Sequence, residues 1–144
     1  MDAVRPTLDR RVLALVVLLA IVVAAPSLAN GFAYDDIWVI VRDQRKHDLA
    51  RWREWLTEAY WILGSPAMYR PLTTTLFALE WAAADGNPWV FHAVNIGLHA
   101  ACTAAVLWLA SLLLDRTMGA VVGAMFAVHP VRIDSALSAT DSLR

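Results

Sequence analysis

This 144-residue sequence is short of charge: 17% of its residues are charged and 59% are hydrophobic. A soluble domain of similar length carries about a quarter charged and about half apolar residues. Mean hydropathy is +0.51, and the apolar excess falls in blocks, so it points to membrane segments and not to a larger core. Cysteine is reduced to Cys102, which excludes an intramolecular disulfide. Inside its apolar run Cys102 reads as a small helical hydrophobe. A net charge of −1 gives no sign of an electrostatic nucleic-acid surface, so no nucleic-acid partner is expected. Lysine is almost missing: Lys46 stands alone among 12 basic residues. Together with abundant alanine, this Arg bias is associated with GC-rich bacterial genomes. A Gly-rich phosphate loop, a nucleophile elbow, a paired-Cys metal motif, a heptad seam and internal repeats are all missing. P-loop, hydrolase, zinc-ribbon, coiled-coil and solenoid readings therefore find no support.

What is present begins with Arg5, Arg10 and Arg11 ahead of the apolar run Val12–Ala25. Continued through Pro26 to Ala29, that run reaches the lower length limit for a span, and the Arg cluster predicts a cytoplasmic N-terminus. A cleavable signal peptide competes, because Ser27-Leu28-Ala29 offers small residues at the −3 and −1 positions. Either way the next residues lie outside the cytoplasm. The mixed-charge segment 30–88 follows. Within it, Asp48–Ile62 has helical periodicity through Leu49, Trp52, Trp55 or Leu56, Ala59 and Ile62, with Arg51, Arg53, Glu54 and Glu58 largely opposite. With Tyr60 and Trp61 it suits a helix in the membrane interface or one packed on a neighbouring domain. Gly64-Ser65-Pro66 breaks the chain, Pro71 opens a second helix to about Ala84, and Asp85-Gly86-Asn87-Pro88 reads as a turn.

Trp89–Leu114 is the clearest span, with no charged side chain other than His. His92, Asn95 and His99 make a polar stripe down it, which suits either a headgroup pocket or interhelical hydrogen bonds. Asp115-Arg116 is too short for anything but an antiparallel return. Met118–Val128 then carries Gly119 and Gly123 in a small-xxx-small arrangement, and Pro130 ends the helix. Residues 1–29, 30–88, 89–131 and 132–144 thus read as first span, outer loop, hairpin and the start of a second outer loop. The expected fold is an all-α membrane protein with about three transmembrane helices and a Trp-rich extracytoplasmic loop. Three spans with polar stripes do not seal a buried site, so the chain reads as incomplete.

The stretch Asn30-Gly31-Phe32-Ala33-Tyr34-Asp35-Asp36 leaves the first span directly. Adjacent carboxylates repel and are costly to desolvate, so packing does not account for them. They can serve as a base or bind a metal ion, or simply belong to an Asn-Gly turn. Two carboxylates can hold Mg²⁺ or Mn²⁺ but do not make a metal site by themselves.

Four motifs decide between these readings: residues 30–36, Tyr69-Arg70-Pro71-Leu72-Thr73, Phe91-His92-Ala93-Val94-Asn95-Ile96-Gly97-Leu98-His99, and Phe126-Ala127-Val128-His129-Pro130-Val131-Arg132-Ile133-Asp134. In this order they resemble the N-terminal part of the transmembrane and tetratricopeptide-repeat O-mannosyltransferases and their bacterial relatives, within the wider GT-C class. The resemblance covers nearly the whole chain after about residue 12. It implies a polytopic enzyme of the plasma (bacterial inner) membrane, acting on the extracytoplasmic side with inversion. The donor is a polyprenyl-phosphate-linked sugar, and the acceptor is a protein or glycan hydroxyl. Asp35 or Asp36 is the implied general base; Arg70, His129 and Arg132 are candidates to steady the phosphate. The missing spans of the enzyme would be a further partner, besides membrane lipid. Asp134 stands where the family usually has Glu, and Ala139-Thr140-Asp141 lacks the family's Arg. The alternative is a non-enzymatic subunit or anchor that binds lipid or a partner through its Trp-rich segment.

Overall fold

The computed structural model describes residues 9–61 and 68–129. Arg132, Asp134 and the expected Gly64-Ser65-Pro66 break lie outside the described residues. Every regular element among the described residues is helical. The chain divides into a helical unit, residues 1–29 with 92–144, and a loop unit, residues 30–91.

The helical unit opens with α1 (Arg10–Ala24), started by Asp9, whose side chain accepts the Arg11 N–H at 2.8 Å. Pro26 has no N–H to continue the ladder, and the chain tightens into a 3₁₀ turn over Ala25–Ala29. The next helix of the unit, α4 (Pro88–Leu113), has 26 residues and is about 39 Å long, enough for a span. With its 3₁₀ extension α1 is the second helix of spanning length and apolarity, whereas α5 (Arg116–Val128) has only 13 residues. Asp115 caps α5 by accepting the Met118 N–H at 2.9 Å.

Val16 and Ala20 of α1, Leu107 of α4 and Ala127 of α5 form the buried core of this unit. Close approach of α4 and α5 depends on two glycines. A Cβ on Gly123 would sit 2.9 Å from Leu107 Cβ, and one on Gly119 would sit 2.5 Å from Ser111 Oγ. Thr103 and Ser111 are buried in α4 because their hydroxyls donate to the carbonyls of His99 and Leu107 one turn back. Leu15, Leu18, Val22, Leu112, Leu113 and Met125 point outward. Such an apolar exterior is what a membrane protein presents to lipid.

In the loop unit, a π-helical turn over Ile37–Val41 is followed by 3₁₀ turns at Gln44–His47 and Leu49–Arg51, then α2 (Trp52–Thr57) and α3 (Pro71–Ala84). Pro71 occupies the first turn of α3, as its fixed φ suits. The helix ends with Asp85 and Gly86 both left-handed, at φ 50 and 73. Gly86 lies under the Trp81 ring, where a Cβ would come within 2.6 Å. The His47 ring stacks on Trp81 with centroids 3.5 Å apart. Tyr60, Phe77, Phe91 and Phe32 form a chain of ring contacts at 6.5, 6.2 and 5.1 Å.

The expected helix over Asp48–Ile62 is broken. Leu49–Arg51 is a 3₁₀ turn, α2 holds six residues, and Glu58 is extended. Arg45 donates to Ala59 O at 3.2 Å and Lys46 to Tyr60 O at 3.4 Å, so side chains satisfy the carbonyls of the segment after α2. The predicted apolar face splits accordingly, with Trp55 buried while Leu49 and Trp52 are exposed. Two polar groups are buried beside the α2–α3 packing. Neither Glu80 carboxyl oxygen nor Trp55 Nε1 has a hydrogen-bond partner among the described residues. Burial raises the Glu80 carboxyl to about 7, and no charged group contributes to the shift.

Gly123→Val is expected to wedge α4 from α5, at a cost of about 1–3 kcal/mol. A lower melting temperature of the detergent-solubilised protein would register it. For Glu80 the folded value lies above the ordinary 4.5. Stability is therefore full below 4.5, falls as pH rises towards about 7, and by then has lost on the order of 3 kcal/mol. Melts of Glu80→Gln and parent should coincide near pH 4.5, with the variant melting higher at about pH 8.

Candidate active site in the loop unit

Asp35 and Asp36 begin the short helical segment that runs into the π turn. Tyr34 before them is left-handed at φ 42, uncommon for an aromatic residue, and it turns the chain sharply. The turn closes on itself: Asp36 N–H donates to Ala33 O at 2.9 Å, and Ala33 N–H donates back to Asp36 Oδ2 at 3.5 Å. Asp35 is exposed, whereas Asp36 is half-buried. Of the two, Asp36 shapes the turn and Asp35 presents its carboxylate to solvent.

The π turn is held by side chains from the next segment. His47 Nε2 donates to Ile40 O at 2.8 Å, and Lys46 Nζ donates to Val39 O. Lys46 is fully buried, as is Asp43, whose carboxylate lies 2.9 Å from the ammonium. Arg45 grips the same carboxylate through Nε and Nη2, both at 2.7 Å, and reaches Glu58 at 2.7 Å through Nη1. Burial by itself would raise the Asp43 carboxyl, but the hydrogen bonds and charges of Arg45 and Lys46 outweigh it and hold it below 3.8. A cleft of about 360 Å³ borders this network, lined by Arg42, Asp43, Gln44, Arg45, Arg51 and Glu58.

Tyr60 connects the network to Arg70. Its ring centre lies 5.2 Å from Lys46 Nζ and 5.2 Å from the Arg70 guanidinium. Its backbone N–H donates to Met68 O at 2.9 Å, and Tyr69 Oη donates to Leu56 O at 2.6 Å. These bonds set Arg70 at the start of α3. Burial pushes the Tyr60 hydroxyl up, the charge of Arg70 and its hydrogen bond to the hydroxyl pull it down, and Asp36 and Asp35 push it up again. Tyr60, Arg70 and the two aspartates therefore share one electrostatic neighbourhood.

Arg70 is exposed and makes no ion pair among the described residues. Arg45 and Arg51 differ, since carboxylates hold both. No cluster of three metal-ligating side chains occurs among the described residues, and Asp35 and Asp36 supply only two carboxylates, so no step is routed through a metal.

The remaining predicted residues belong to the helical unit or lie outside the described residues. His99 meets α5 twice, with Nε2 3.2 Å from Ala127 O and its ring 5.8 Å from Phe126. Asn95 is exposed and His92 half-buried, so the stripe is not one continuous lining. His129 ends α5, with its N–H directed at Phe126 O. Arg132 lies outside the described residues. Asp43, Lys46 and Tyr60 were not singled out from sequence. The lone lysine among arginines was the available signal, but a run such as Asp43-Gln44-Arg45-Lys46-His47 ordinarily marks a solvated surface.

Comparison with known proteins returns the family that the four motifs resemble. Human (Homo sapiens) protein O-mannosyl-transferase TMTC1 is 34% identical over 118 residues, which is 76% of this chain and 13% of that protein. Human TMTC2 is 35% identical over 115 residues, 76% of this chain and 14% of that protein. The chain is related to the TMTC protein O-mannosyl-transferases. A fly member, Drosophila melanogaster Tmtc2, is 32% identical over 124 residues, 81% of this chain and 13% of its own length. The chain thus spans roughly an eighth of the length of these TMTC relatives. No family model matches the chain, and no solved structure does.

Lys46→Met leaves Asp43 buried with one of its two cations gone. A loss of about 3–5 kcal/mol is expected, read as a lower denaturant midpoint by tryptophan fluorescence. Adding Asp43→Asn to that variant should restore part of it. Because Asp43 is held low, its contribution is present above 3.8 and is lost as pH falls through its folded value.

Proposed function

We propose that this chain is the N-terminal module of a GT-C-type membrane glycosyltransferase. In this reading the enzyme moves a mannose-like sugar from a polyprenyl-phosphate carrier to a Ser or Thr hydroxyl, or another hydroxyl acceptor. The observation that carries it is the exposed Asp35 carboxylate in the same neighbourhood as Arg70, a guanidinium with no ion pair among the described residues. That the relatives are protein O-mannosyl-transferases supports the transferred group, and the two spanning-length helices support the membrane setting.

The acceptor hydroxyl is a poor nucleophile until a positioned carboxylate takes its proton. Asp35 accepts that proton as the oxygen attacks the anomeric carbon. A C–O bond forms on the face opposite the phosphate, and the bond to the phosphate oxygen breaks with its electron pair leaving on the phosphate. This inverts the anomeric centre. The leaving group is already a phosphate and needs no acid, only donors for its charge, which Arg70 supplies. Asp36 holds the turn that aims Asp35. His129 and Arg132 remain candidates for further phosphate contacts.

Topology follows from charge and order. Arg10 and Arg11 open α1 and keep the N-terminus cytoplasmic, so the loop between α1 and α4 lies outside, at a plasma membrane of bacterial inner-membrane type. Val16 and Ala20 fill the core of the helical unit, which favours a retained span over a cleaved leader. A second reading, a lipid- or partner-binding surface, has its own observation. Arg42 lies 4.0 Å over the half-exposed Trp38, and Arg53 lies 5.2 Å over Trp52.

Transfer of labelled mannose from polyprenyl-phosphate-mannose to an acceptor peptide tests the first reading. In the whole protein Asp35→Asn is expected to lower the rate about 10²–10⁴-fold with membrane insertion intact. Full activity in both Asp35→Asn and Asp36→Asn would overturn it and favour the second.

A further inference from the structure

The loop arginines are held in two ways. Arg45 is fixed by Asp43 and Glu58, and Arg51 by Glu54, so those guanidinium charges are answered within the protein. Arg70 instead lies over the Tyr60 ring at 5.2 Å and makes no ion pair among the described residues. An aromatic face attracts a cation without occupying its N–H fork, whereas a carboxylate does occupy it. Arg70 shares a hydrogen bond with the Tyr60 hydroxyl as well, and a ring-held arginine thus keeps the rest of its fork for an incoming anion.

Tyr60 is itself immobilised. Its carbonyl accepts from Lys46 at 3.4 Å, its N–H donates to Met68 O at 2.9 Å, and its ring meets Phe77 at 6.5 Å. Lys46 is anchored in turn on the buried Asp43. Position therefore passes from a buried ion pair to a fixed ring, and from that ring to an exposed guanidinium.

We propose that Tyr60 is a positioning residue that holds the Arg70 guanidinium ready for a phosphate oxygen. This rests on the reading of Arg70 as a phosphate ligand given above. Tyr60 touches neither the sugar nor the acceptor; it acts through Arg70. An aliphatic side chain at position 60 would leave Arg70 to sample rotamers or to collapse onto a nearby carboxylate, and Asp35 and Asp36 share its neighbourhood.

The test keeps the shape of residue 60 constant, so that folding is not in question. Phenylalanine is placed at position 60, followed by its difluoro and trifluoro analogues, which progressively weaken the ring's attraction for a cation. The whole protein is held in lipid nanodiscs, and affinity for a long-chain polyprenyl phosphate is measured. Binding is expected to weaken stepwise along the series, by about two- to fivefold in all. In an Arg70→Gln background the series should be flat. A flat series in the presence of Arg70, with Arg70→Gln itself weakening binding, overturns the positioning role and leaves Arg70 as the ligand. An equal slope with and without Arg70 also overturns it, since the ring would then act on its own. If Arg70→Gln binds like the parent, the phosphate reading of Arg70 fails first and the role of Tyr60 goes with it.

Discussion

Asp43 and Lys46 are both fully buried and face each other at 2.9 Å, and the loop unit is arranged around keeping them paired. A carboxylate and an ammonium taken from water together are tolerated only if their remaining lone pairs and protons are also answered. Arg45 fills the other side of Asp43, and backbone carbonyls of Val39 and Tyr60 take the remaining protons of Lys46. Those two carbonyls belong to segments about twenty residues apart in sequence. The pair therefore ties the π turn after the aspartates to the strip after α2. Apolar contacts alone would allow these segments to slide, because their buried side chains, chiefly Val39, Ile40 and Trp55, are few.

That tie has a consequence for the site. The segment carrying Asp35 and Asp36 leads directly into the π turn, and Tyr60, fixed at the other end of the tie, carries Arg70. The two aspartates and Arg70 come from stretches with no local reason to meet. Their common neighbourhood is a product of the buried charge network. Asp35 and Arg70 stay exposed, and the buried groups hold their segments in place.

The helical unit works on a different principle. There are few polar groups to pair, and they are answered within one turn, as Thr103 and Ser111 show. What decides the packing is backbone approach at Gly119 and Gly123, where another atom would collide with α4. His99 adds one polar contact across to α5. This resembles the general behaviour of helices in lipid, where small residues and sparse hydrogen bonds replace a hydrophobic drive.

The parts of this fold that were legible in the sequence are those set by local order. Apolar length marked α1 and α4, Pro71 and Gly86 marked the limits of α3, and the spacing of Gly119 and Gly123 foretold a close contact. Asp35, Asp36 and Arg70 could be named as candidates because their residue types and motif order carry chemistry by themselves. The helix expected over 48–62 stops at Thr57 although its periodicity was real: Glu58 is extended, and the carbonyls that follow are held by Arg45 and Lys46, residues outside the window. Lys46 stood out only as the lone lysine and is wholly buried; Tyr60 looked like an interfacial aromatic and is a cation-bearing ring. Helix formation at α1, α3, α4 and α5 depends on neighbours three and four residues away, and there the sequence by itself determined it. The burial of a charge depends on partners brought from elsewhere in the chain, and only the tertiary structure decided that.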